Sequence, residues 1–69
     1  MKEKKPTEPP QTLIFQHKRY RLEFIYRLRS KANQTAIRIN SGGLVKAFVD
    51  RVELEQGIRY AVYTRSLLK

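Results

Sequence analysis

The sequence predicts an all-β domain, or a β-rich one with one short helix: five short antiparallel strands in a meander that curls into a small barrel. Three observations carry this. Over residues 20–29, Tyr20, Leu22, Phe24, Tyr26 and Leu28 alternate with Arg21, Glu23, Ile25, Arg27 and Arg29, the period of a half-buried strand. A second alternating stretch is broken only by Gln56-Gly57, as a hairpin is. Finally, 69 residues make one small domain that buries only about 60% of its unfolded surface, and closing the sheet hides edges that would otherwise aggregate.

Residues 1–11 hold all three prolines, Pro6, Pro9 and Pro10, and no large apolar residue lies between Met1 and Leu13. Such a segment cannot bury enough surface to offset its ordering entropy. It is expected to be a disordered arm whose removal leaves stability unchanged, with residues 12–69 forming the domain. Lys2, Lys4 and Lys5 sit against Glu3 and Glu8 there, so the arm is a solubilising tail or a basic arm on a phosphate backbone.

The first strand is expected over 12–17, through Leu13, Ile14 and Phe15, with the link His17-Lys18-Arg19 leading into the second over 20–29. Residues 30–34 read as a loop. Residues 35–40 read as a third strand, with Thr35, Ile37 and Ile39 opposite Ala36, Arg38 and Asn40, and Asn40-Ser41-Gly42-Gly43 as the turn after it. Beyond that turn, the chain fits two patterns. As a helix, Leu44, Val45, Phe48, Val49 and Val52 share a stripe; as a strand over 45–55, Phe48, Asp50, Val52 and Leu54 alternate with Val49, Arg51 and Glu53. The strand is favoured because the hairpin into residues 58–65 explains both flanks. Leu67 and Leu68 are expected to tuck against the core. The expected core is Tyr20, Leu22, Phe24, Tyr26, Ile37, Ile39, Val52, Leu54, Tyr60 and Val62. Architecturally, the sum is an SH3-like or OB-like barrel.

Composition excludes several functions. There is no cysteine, hence no disulfide framework and no thiolate metal site. One histidine, His17, excludes a His-based metal site or triad within the chain and reads as a hairpin residue. Gly42, Gly43 and Gly57 are the only glycines and cannot build a phosphate-binding loop. Asp50, Glu53 and Glu55 read as a solvated, salt-bridging face, and Ser41 has no base in sequence. An enzyme is therefore not expected, nor a cofactor or metal. No apolar run approaches the roughly 18 residues that span a bilayer, and residues 1–12 lack a signal's apolar region, so the default location is the cytoplasm.

Charge points to a partner. Fifteen Lys and Arg against six Asp and Glu give a net +9, the mark of a protein that meets a polyanion. Lys18, Arg19, Arg21, Arg27, Arg29, Lys31 and Arg38 against Glu23 give +6 over residues 12–43, whereas residues 44–57 sum to −1. If the aromatic face of residues 20–28 points inward, Arg21, Arg27 and Arg29 point outward together. On the last strand, Arg59, Tyr63 and Arg65 would be exposed beside small Ala61. Arg21, Arg27, Arg29, Arg38, Arg59, Tyr63 and Arg65 are thus expected to form one surface. Guanidinium groups would fork onto phosphates of DNA or RNA, and the Tyr63 ring would stack on a base. The alternative is a protein-interaction module, an inhibitor or adaptor, whose basic face binds an acidic protein surface.

Overall fold

The computed structural model describes residues 5–67. It is mostly β, with one helix. Strands β1 (Thr12–Phe15) and β2 (Lys18–Tyr26) form a hairpin, helix α1 (Arg29–Ser41) comes next, and β3 (Val45–Leu54) and β4 (Gly57–Ser66) form a second hairpin. They make one four-stranded antiparallel sheet of order β1-β2-β4-β3, curled into a half-barrel. Among the described residues there are therefore four strands, not five, and the barrel is open.

The segments expected as a loop over 30–34 and a strand over 35–40 both lie in α1. Alternation there coincides with a helical stripe of small residues. Ala32 and Ala36 are buried with Ala47 of β3 and Val62 of β4, and Ile39 packs against them. Alanine is the best helix former and lets the backbone approach the sheet closely. The turn signal at Asn40–Gly43 is real but ends the helix. Gly43 has φ 78°, and its N–H donates to the Asn40 carbonyl, as a glycine after a helix C-terminus does. Thr35 ties α1 to the sheet by donating to the Tyr26 hydroxyl at 2.8 Å.

Of the stretch 45–55 expected as strand, residues 45–54 are strand, and the turn at Glu55-Gln56 is a tight hairpin with Leu54 opposite Gly57. The β1–β2 turn is Gln16-His17, both with positive φ, 52° and 66°; mirror-image turns of this kind match the twist of paired strands.

The strict alternation of residues 20–28 is broken in β2. Leu22 pairs with Tyr63 but Phe24 pairs with Val62, a bulge that leaves Glu23 as the extra residue. The extra residue reverses the facing of everything beyond it. Phe24 and Tyr26 therefore lie on the face that carries α1, while Tyr20 and Leu22 lie on the other. That second face holds a separate core: Tyr20, Ala61 and Tyr63 are buried, with Leu13, Leu22, Phe48 and Val52 against them. The Phe48 ring lies 4.8 Å from both Phe15 and Tyr20 and 5.7 Å from Tyr63. Of the expected core, Tyr20, Leu54 and Val62 are buried, and Leu22, Tyr26, Ile39, Val52 and Tyr60 are half-buried. Phe24 and Ile37 are exposed at 42% and 67%. Leu67 is exposed too; Leu68 lies outside the described residues.

The described part of the arm touches the domain. Pro9 is buried. The Pro6 carbonyl accepts from Glu55 N–H and the Thr7 carbonyl from Gln56 Nε2. The Pro10 carbonyl accepts from the Tyr63 hydroxyl at 2.8 Å, and that of Gln11 from Leu22 N–H. Three prolines lower the entropy lost when such a segment is held extended.

At the sheet's outer edge, Asn40 acts as a surrogate strand. Its Nδ2 donates to the Ala47 carbonyl at 3.0 Å, and Ala47 N–H donates to its Oδ1 at 2.8 Å. One side-chain amide thus satisfies both outward backbone groups of an edge residue.

Candidate nucleic-acid interface

The seven residues expected to share one surface are divided by the sheet. Arg21, opposite Thr64, is exposed on the face that carries α1. Arg27 is exposed in the link between β2 and α1, and Arg29 and Arg38 are exposed at the two ends of α1. Arg59 and Arg65 share the opposite face with Tyr63 and are half-buried; Arg59 Nη1 donates to the Ile58 carbonyl. Tyr63 is fully buried, and its hydroxyl is engaged by the arm. Burial, and after it the carboxylate of Asp50, raises its phenol above the ordinary tyrosine value. The ring that was to stack on a base is a core residue. The reason is that β4 is central and both its faces are covered, so Ala61, Val62 and Tyr63 are buried in succession and period two loses its meaning there.

The structure instead brings a basic surface together around α1. No Asp or Glu occurs from Phe24 to Val49, a stretch that includes the whole helix. With 3.6 residues per turn, the buried alanines set the packed side of α1, and Ser30, Gln34, Ile37 and Ser41 fall opposite. Lys31 and Arg38 run along one shoulder and Asn33 along the other. All of these side chains are exposed. Arg29 and Arg38 stand about 14 Å apart along the axis. On the same sheet face, beyond the helix, Arg19 and Arg21 of β2 are exposed beside Ile14.

The charge placement works against helix stability. The positive end of the helix dipole favours acids in the first turn, yet the first turn has none and carries Arg29 and Lys31, and Leu28 supplies no side-chain cap. A phosphate against this end would remove the conflict.

Between α1 and β2 an open groove of about 330 Å³ is lined by Glu23, Phe24, Ile39, Val45 and Thr64. Among the described residues there is no group of three or more His, Cys, Asp or Glu placed to hold a metal, and no helix is long and apolar enough to cross a membrane. Because residues 30–34 read as a loop and Ile37 as core, the sequence does not place Lys31, Asn33, Gln34 and Ile37 on an exposed helix surface, where the structure has them. The absence of acids over residues 24–49 was the available signal. No protein-family model, curated protein or solved structure matches the chain.

Proposed function

We propose that the protein is a small nucleic-acid-binding domain that meets the phosphate backbone with its helix-bearing face. The observation that carries this reading is the acid-free outer surface of α1. Lys31 and Arg38 stand exposed there without a carboxylate partner among the described residues; Arg29 is exposed at the first helical residue, on the side of Ala36, and Arg19 and Arg21 are exposed on the same sheet face. Arg29 and Lys31 oppose the helix dipole in the first turn, whereas Arg38 in the last turn suits it; cations kept unpaired at a cost to the helix fit a polyanionic partner. The expected site is retained at Arg21, Arg29 and Arg38, with Arg27 beside them. Arg59, Arg65 and Tyr63 drop out.

A binding series against DNA and RNA tests this. Neutralising four or five phosphates gives a slope of log affinity against log salt of about −4 on duplex DNA. Arg38→Ala makes that slope shallower by about one unit and weakens all sequences alike. Absence of binding to any nucleic acid at about 50 mM salt, where attraction is strong, would overturn the proposal. The net charge of +9 also supports a second reading: docking on an acidic protein surface. That reading predicts tight binding to one protein and little affinity for nucleic acid.

A further inference from the structure

Resting on that reading, we infer that α1 is a reading head for the major groove of duplex DNA, with Asn33, Gln34 and Ile37 at the base edges and Lys31 and Arg38 on the flanking phosphates. Shape comes first. A helix with its side chains is about 10–12 Å across and the major groove of B-form DNA about 12 Å wide. The deep, narrow major groove of A-form RNA does not admit it.

The packed side of α1 is held by Ala32 and Ala36 with Ile39, and Lys31, Gln34, Ile37 and Arg38 are left for the outer surface. Lys31 and Arg38 sit to one side of the strip, where they can meet the phosphates of one strand while Asn33, Gln34 and Ile37 face the bases. The residue types also fit. A carboxamide offers one donor and one acceptor, the pattern that pairs bidentately with adenine, and an aliphatic side chain meets the thymine methyl.

The Asn33 and Gln34 side chains spend neither group elsewhere: they make no hydrogen bond with another described residue. Asn40, by contrast, is the same kind of side chain fully used on Ala47. Ile37 is 67% exposed, the most exposed large apolar side chain described. Single strands are a poorer match, since α1 carries no aromatic residue on which an unpaired base could stack.

Selection from a randomised duplex library by the full chain is expected to enrich a short motif. Affinities are then measured for the enriched duplex, a scrambled duplex, the enriched sequence as duplex RNA, and its single strand. The enriched DNA duplex is expected to bind tightest. Gln34→Ala should reduce the preference for enriched over scrambled duplex by roughly 5- to 150-fold, the range for one bidentate contact, while leaving scrambled binding unchanged. Arg38→Ala should weaken both duplexes equally, and circular dichroism checks that both variants fold. Failure to enrich any motif, equal affinity for duplex RNA, or unchanged discrimination in both Gln34→Ala and Asn33→Ala would each overturn the inference while leaving phosphate-directed binding in place. Loss of all nucleic-acid binding in the unmodified protein would remove both.

Discussion

Replacing Asn40 with alanine tests the edge clamp most directly. The side chain makes two hydrogen bonds to Ala47, at 3.0 and 2.8 Å, both partly buried. At about 0.5–1.5 kcal/mol each, their loss costs roughly 1–3 kcal/mol. Alanine returns about 0.6 kcal/mol through its better helix propensity, leaving a net loss of about 1–2 kcal/mol. For a domain of this size each kcal/mol moves Tm by about 4–8 °C, so thermal unfolding by circular dichroism should show a drop of roughly 5–15 °C. Asn33→Ala is the matched control. The chemical change is the same on the same helix, with no bond to lose, so its Tm should stay level or rise slightly. Asn40→Asp should be at least as harmful as alanine, because it sets a carboxylate against the Ala47 carbonyl and near the negative end of the helix dipole. If Asn40→Ala and Asn33→Ala melt together, the clamp contributes nothing and the edge is held by packing alone.

Three further outcomes rest on the packing. Tyr63→Phe loses the bond to the Pro10 carbonyl and should cost about 0.5–1.5 kcal/mol near neutral pH. Because the folded state raises the Tyr63 pKa, the tyrosine's advantage is complete below the unfolded pKa and is lost as pH rises through the folded one. The gap between wild type and variant in alkaline melts should therefore shrink, and a gap that widens would refute the assignment. Deleting residues 1–10 uncovers Tyr63 and removes three hydrogen bonds, so Tm should fall by several degrees; an unchanged Tm would restore the expectation of a free arm. Gln16→Asn with His17→Gly places residues that accept positive φ at the β1–β2 turn and should gain about 1 kcal/mol, read as a higher denaturation midpoint.

Much of the sheet was legible in the residues. The strand at 20–28 and the hairpin around Gln56-Gly57 come from alternation and a turn residue, and both exist with small shifts at their ends. The helix was not legible for physical reasons. It has no side-chain N-cap and no acid in its first turn, and its buried stripe is alanine, which a search for large apolar residues passes over. The bulge at Glu23 is set by long-range pairing with β4 and has no local mark. Tyr63 misled for a related reason: whether a strand residue faces water depends on what covers the sheet, and here the cover comes from a segment 53 residues away. The basic surface proposed as the site was half visible. Its charge could be counted in the sequence, but its gathering on one face required the helix.

The position of β4 at the centre of the sheet has a consequence for the order in which the protein is made. Of the four strands it leaves the ribosome last, yet β2, β3 and the arm all bond to it. Until it emerges, the nascent chain holds a β1–β2 hairpin, a helix with nothing to lie on, and a long unpaired strand. Neither core can close, because Val62 belongs to one and Ala61 and Tyr63 to the other. Non-local pairing of this kind delays folding and exposes strand edges while it lasts. A stop or frameshift before residue 57 would therefore yield not a smaller version of the domain but a chain with no folded state, and a separately synthesised β4 peptide would be the piece able to rescue it.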